Sequence, residues 1–230
     1  MLMKWSEMFT SSIGKKLVMG LTGIFLILFL IVHLGLNACI WAFDGGVMFN
    51  KAAHFMGANW VPRLLEIGLF LGIFAHIFQG WVLTLQNNSK RKIGYAVAMG
   101  NNGSKWYSRS MGLLGTLLFL FLVMHLAHFW VPSRITGLQE MTLPNGDTLH
   151  NLFGEMVTVF QNQLVVILYV VGCIALSWHL LHGFQSAFRT FGVSNTRYLK
   201  LLNCLGTGFS ILVPLAFAMM PISIYLGWVK

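Results

Sequence analysis

Residues 17–43 read LVMGLTGIFLILFLIVHLGLNACIWAF, a run without one Asp, Glu, Lys or Arg. Crossing the hydrocarbon core of a bilayer, about 30 Å thick, takes about 20 apolar residues at a rise of about 1.5 Å each. The run is long enough. A cleavable signal peptide, with an apolar part of only about 7 to 15 residues, is too short to explain it. Four further segments meet the same criterion, 64–85, 111–131, 163–188 and 201–228. Turn-favouring clusters separate the five: Asp44-Gly45-Gly46, Asn87-Asn88-Ser89, Pro132-Ser133 and Gly192-Val193-Ser194-Asn195. The expected fold is all-α, a single integral membrane domain of five transmembrane helices over residues 1–230.

Composition agrees with this reading. Of the 230 residues 57% are hydrophobic and only 9% charged, against about 25% charged in soluble domains. The net charge of +9 would suggest nucleic acid for a soluble protein. Here the basic residues fall in short clusters between apolar runs, so they report membrane orientation, with lipid and not nucleic acid as the partner. Eleven of the 15 Lys and Arg lie on one side: Lys4, Lys15, Lys16, Lys90, Arg91, Lys92, Lys105, Arg109, Arg189, Arg197 and Lys200. The other side has Lys51, Arg63, Arg134 and Lys230. Positive charge stays preferentially in the cytoplasm, so the amino terminus is expected there and the carboxyl terminus outside. Cys39, Cys173 and Cys204 stand singly, without CxxC or CxxCH spacing, so neither a zinc site nor covalent haem attachment is indicated.

Six of the eight histidines fall inside the apolar segments, where ionisable groups are costly and usually mark function. They are His33 in the first, His76 in the second, His125 and His128 in the third, and His179 and His182 in the fourth. His54 and His150 lie in loops on the carboxyl-terminal side and read as solvated surface residues. Counted from that side, His33 and His125 come out roughly 10 to 15 Å deep, and His76 and His179 roughly 18 to 24 Å deep. Each level takes one histidine from a helix running outward and one from a helix running inward. A haem iron with two axial imidazoles needs two histidines at one depth on facing helices, and two such pairs would stack two haems b across the membrane.

Small residues recur beside the deeper pair: Gly68, Gly72 and Gly80 around His76, and Gly172, Ala175 and Gly183 around His179. At four-residue spacing they share one helix face, which suits either a flat macrocycle or close helix packing. His128 and His182 lie one turn from the favoured ligands and are alternative ligands, or partners of a backbone carbonyl or haem propionate. Asn37, one turn beyond His33, is a candidate contact for a propionate, a quinone or a neighbouring helix. Glu66, the one acid near a helix interior, could protonate a quinone or pair with Arg63. Pro214 and Pro221 are expected to bend the fifth helix, which has no histidine.

These residues resemble the five-helix, two-haem cytochrome b subunit, b558 type, of succinate dehydrogenases and fumarate reductases, over nearly the whole chain. The likeness is carried by Ser11-Ser12-Ile13-Gly14-Lys15-Lys16, His33-Leu34-Gly35-Leu36-Asn37, His76-x-x-x-Gly80-Trp81 with Gln86-Asn87-Asn88, Trp106-Tyr107-Ser108-Arg109, and His179-x-x-x-Gly183 with Phe191-Gly192. It implies a bacterial cytoplasmic membrane anchor that passes electrons between an iron–sulfur subunit and a quinone, with menaquinone the expected quinone. A flavoprotein subunit of the same complex would do the dicarboxylate chemistry, so no catalytic residue is expected on this chain. It also implies the pairs His33/His125 and His76/His179 as axial ligands. Some fumarate reductases have a glutamate beside the fourth-helix ligand, thought to carry protons; here the neighbours are Ser177, Trp178 and Leu180, which puts that route in doubt. Two other readings stay open: a dihaem cytochrome of a hydrogenase or formate dehydrogenase, and a transporter moving metal or protons through its histidines.

Overall fold

The computed structural model describes residues 11–90, 105–143 and 146–230, with the side chain of Lys90 outside the description. Lys4, Glu7, Arg91 and Lys92 of the charge count also lie outside the described residues. Five helices are long and apolar enough to cross a membrane, which makes this a multi-pass membrane protein. The first, α1 (Ser12–Asn37), is opened by Ser11, whose hydroxyl accepts the Gly14 N–H at 3.0 Å. It tightens into a 3-10 turn over Ala38–Ala42 and ends at Phe43, whose φ of 55° lies in the left-handed region. A short helix α2 (Val47–Ala58) leads into α3 (Trp60–Lys90). A single turn α4 (Trp106–Arg109) precedes α5 (Met111–His125), which continues through two π-helical turns, Leu126–Trp130 and Pro132–Thr136. Strands β1 (Glu140–Thr142) and β2 (Thr148–His150) pair antiparallel with Met141 opposite Leu149. The chain ends with α6 (Leu152–Phe160), α7 (Gln163–Thr190) and α8 (Thr196–Tyr225). Asn151, Asn162 and Asn195 cap the last three, each through a side-chain oxygen that accepts a backbone N–H.

The five spans stand where the apolar runs predict, with longer ends. Helix α1 begins at Ser12 and not Leu17, and α3 covers Trp60–Lys90 where 64–85 was expected. Extending a nucleated helix adds one hydrogen bond per residue, and lysines at its ends can lay their apolar stems along it. At the other terminus α8 stops at Tyr225, short of the expected 228, because Gly227 turns left-handed at φ 70°. The connections at that end are not plain loops as expected. They contain α2, the β-hairpin and α6, so His54 stands on a helix and His150 on a strand, both exposed.

Helices α1, α3, α5 and α7 form a ring in which each packs against its two neighbours, and α8 lies outside it, mainly on α7. The diagonal pairs, α1 with α5 and α3 with α7, are not among the closely packed ones. One end of the ring, at the starts of α1, α5 and α8, is the basic end. It is tied together by Lys15 Nζ donating to Gln86 Oε1 at 3.0 Å and by Gly20 lying against Thr190 and Phe191. The other is closed by α2, the hairpin and α6. At the heart of that cap Asn50, with no exposed surface, accepts the Phe153 N–H at 2.9 Å and donates to Asn151 Oδ1 at 3.0 Å. Ile40, Phe49, Phe153, Met156, Phe160, Tyr169 and Ile224 make one apolar cluster beneath it. Leu71 and Phe74 of α3 are largely exposed, as a lipid-facing surface requires.

Candidate haem-binding site

The ring geometry leaves an interhelical cavity of about 2260 Å³ that runs from Lys16, Ser108 and Arg189 at the basic end to Arg63, Trp130 and Arg134 at the capped end. An ordinary small-molecule pocket is about 300–1,000 Å³, so there is room for more than one large ligand. His33, His76, His125 and His179 all line it.

Across this cavity the four histidines meet as diagonal pairs. His33 of α1 and His125 of α5 have ring centres 5.8 Å apart, and His76 of α3 and His179 of α7 are 6.2 Å apart. Cross-pairing of His33 or His125 with His76 or His179 does not occur among the recorded ring contacts of the described residues. An imidazole nitrogen binds a transition metal at about 2.0–2.1 Å and lies roughly 1.1 Å from its own ring centre, so two imidazoles on opposite sides of one iron have ring centres about 6 Å apart. Both pairs fit this spacing, on helices held apart by the ring.

The ring nitrogens show how each side chain is held. The Thr22 hydroxyl lies 3.0 Å from His76 Nδ1. The Asn37 amide lies 3.3 Å from His33 Nδ1 and donates to the His33 carbonyl at 2.8 Å. The Thr22 oxygen can accept from His76 Nδ1–H and so leave Nε2 for the cavity, the usual arrangement around a ligand histidine, whereas the Asn37 amide is itself a donor and fixes the His33 ring by offering an N–H to its Nδ1. The partners differ: His125 Nδ1 and His179 Nδ1 are buried with no hydrogen-bond partner among the described residues. Buried polar atoms without partners are rare, and these two nitrogens lack the outer partner that a ligand histidine usually has. Aromatic packing orients the rings of the capped level. Phe29 stacks on His33 and Phe121 on His125, with Phe129 and Tyr169 closing around His125.

His128 and His182 are engaged elsewhere. His128 Nδ1 is 3.1 Å from the Tyr169 hydroxyl, with the two rings stacked, and His182 Nδ1 is 2.9 Å from Ser108 Oγ. Neither is half of a facing histidine pair. Glu66 pairs mainly with Arg134, accepting from Nε and Nη2 at 3.2 Å each, and takes the Trp130 indole N–H at 2.6 Å. Arg63, the partner expected from sequence, stands farther off at 3.8 Å.

The glycines divide between the two roles expected of them. A Cβ on Gly72 would come within 2.9 Å of the Phe25 ring and one on Gly172 within 2.4 Å of Phe121, so these two make room for neighbouring side chains. Gly80 and Gly183 border the cavity, the latter beside His179, and Gly23 and Gly115 join them unforeseen. Thr22, Ser108 and Tyr169 were also missed, although the depth count held a signal. Tyr169 precedes His179 by ten residues, about 15 Å, which carries it toward the capped end past the roughly 8 to 9 Å between the histidine levels.

Comparisons with family models, with curated proteins and with solved structures found no match to this chain. The chemistry of the site therefore rests on its own donor set. Among the described residues no three His, Cys, Asp or Glu side chains converge, so each pair offers two ligands. That fits a metal whose remaining positions are filled by a macrocycle and suits a bare ion poorly. Cavity size, pair spacing and donor type all fit haem b.

Proposed function

We propose that this chain is the dihaem cytochrome b membrane subunit of a succinate dehydrogenase or fumarate reductase, carrying electrons between an iron–sulfur subunit and a membrane quinone. The observation that carries the reading is the pair of histidine pairs, His33/His125 and His76/His179, facing each other about 6 Å apart across one membrane-spanning cavity. Bound haem iron would supply reversible one-electron storage at each level. The chain's own work is to hold and insulate. Thr22 and Asn37 orient the rings of His76 and His33, Phe121, Phe129 and Tyr169 orient that of His125, and lipid-facing helices keep water from the space between the levels.

By the positive-inside rule the basic end would face the cytoplasm, of a bacterial cell on the resemblance alone. All five acids among the described residues, Asp44, Glu66, Glu140, Asp147 and Glu155, stand toward the capped end. Lys15, Lys16, Lys105, Arg109, Arg189, Arg197 and Lys200 would thus face an iron–sulfur subunit, whose flavoprotein partner oxidises succinate or reduces fumarate. The quinone is proposed to be menaquinone, on the resemblance alone. The paired geometry favours this reading over a transporter, in which convergent acids would accompany the histidines.

The test is purification of the chain with its complex, followed by reduced-minus-oxidised spectra and cofactor analysis. The expected result is two b-type haems per chain, with flavin and iron–sulfur clusters in the co-purifying subunits. A preparation without haem would refute the cytochrome, and two haems without a flavoprotein would move the chain to another quinone-linked dehydrogenase.

A further inference from the structure

Taking the dihaem reading as given, we infer that the two haems turn their carboxylate edges to opposite ends of the bundle, with Arg134 holding those of the His33/His125 level and His182 those of the His76/His179 level. Haem b carries two propionates, four anionic groups in all, and their place is decided by where the cavity can pay for charge. Between the levels its wall includes Leu26, Ile73, Leu118, Leu122 and Leu176. An unpaired carboxylate there would cost several kcal/mol. The charged residues lining the cavity are Lys16, Lys105 and Arg189 at the basic end and Arg63, Glu66 and Arg134 at the capped end.

At the capped end the local chain brings Arg134 into reach. Nine residues separate it from His125, and one π turn, Leu126–Trp130, lies between them, with Arg134 itself inside the next, Pro132–Thr136. His125 and Arg134 accordingly both line the cavity from this stretch of chain. Two guanidinium groups stand against the single carboxylate of Glu66, so one positive charge is left over. The Nη1 of Arg134 points over Gly57, where a Cβ would sit only 3.1 Å away. At the basic end His182 lies one turn beyond His179, lines the cavity, and is fixed through Nδ1 by Ser108. Its Nε2 remains for an acceptor, and no described acid at that end competes for it.

The experiment uses the whole complex and redox titration of each haem, the two bands being assigned by their loss in His125→Ala and His179→Ala. Positive charge near a propionate stabilises the reduced haem, so Arg134→Gln is expected to lower the midpoint of the His33/His125 haem only. Glu66→Gln, which uncovers the arginine, is expected to raise that same midpoint, and Arg134→Lys to restore most of the loss. His182→Gln is expected to move the other haem alone and to change its propionate modes in resonance Raman spectra. If Arg134→Gln moves the His76/His179 haem, or leaves both midpoints unchanged with both haems bound, the assignment is overturned. A wild-type complex without haem would instead overturn the cytochrome reading, and this inference with it.

Discussion

At the basic end, the Ser108–His182 contact lies one turn from the histidine level and the described charged side chains are all cations, while at the capped end His33 and His125 sit among Phe29, Phe121, Phe129 and Tyr169 under a folded layer. The two levels share one plan: a ring held by a hydrogen bond, His76 or His33, facing a ring whose Nδ1 is buried without a partner, His179 or His125. They differ in what closes them off. Intramolecular structure seals the capped level, whereas the basic level opens to a charged rim suited to another subunit. Electron entry and quinone chemistry would accordingly fall at ends built for different company.

The largest expected effect breaks one level and spares the other. Replacing His76 or His179 with Ala should take haem content from two per chain to one, with the same low-temperature band missing in both variants. His33→Ala and His125→Ala should remove the other band. His128→Ala and His182→Ala should keep both haems. Loss of both bands from any one ligand variant that still folds would sink the two-level arrangement.

The next effect tests whether the cap is what protects the capped level. Asn50→Ala leaves the buried Phe153 N–H without its acceptor and frees Asn151 from α2. Leaving a buried donor unpaired costs about 1–3 kcal/mol, enough to loosen α6 from α2. The expected outcome on heating in detergent is earlier release of the His33/His125 haem, while the other haem leaves at its usual temperature. Simultaneous release of both would mean that the cap stabilises the whole bundle.

A smaller effect should fall on the basic level alone. Thr22→Val keeps the shape of the side chain and removes the hydroxyl beside His76 Nδ1. Loss of an outer partner of a metal ligand costs about 10–100-fold in affinity, and the lower figure suits a single hydroxyl. Haem transfer to an acceptor protein should therefore accelerate about tenfold for the His76/His179 haem and not for the other. Equal acceleration of both would show the hydroxyl to be structural.

How much of this was legible follows from which physical rule governs each part. The spans were legible because the bilayer demands length and apolarity, and the residue 17–43 run declares both. The histidine pairing was legible because helix rise turns residue number into depth, which is why His33 matched His125 and His76 matched His179. The cap was not. Asn50 and Asn151 are 101 residues apart, and nothing in either segment alone specifies their hydrogen bond. The glycines misled in part because small residues at helical spacing serve packing and cofactor clearance alike, and only the neighbouring rings, Phe25 against Gly72 and Phe121 against Gly172, separate the two.

The smallest expected effect concerns α8, which holds no histidine and packs mainly on α7, with Phe217 reaching the His33 ring at 5.5 Å. Pro214 lacks the N–H that would bond the Ser210 carbonyl one turn earlier, and that carbonyl lies in the buried α7–α8 interface. The Ser177 hydroxyl donates to it across the interface at 2.7 Å, two residues before His179. Helix-breaking residues are tolerated in membranes when a neighbouring side chain satisfies the freed group in this way. Ser177→Ala would leave the carbonyl bare. In water that would cost about 1–3 kcal/mol, but hydrogen bonds between membrane helices average only about 0.6 kcal/mol, because the unfolded chain in lipid also finds partners. The expected loss in a denaturant titration in mixed micelles is thus below about 1 kcal/mol, with both haems retained. Ser177→Thr keeps a donor and should lose less. A loss of haem from the His76/His179 level in Ser177→Ala would show instead that this bond sets the depth of His179, and would bind the fifth helix to the redox site.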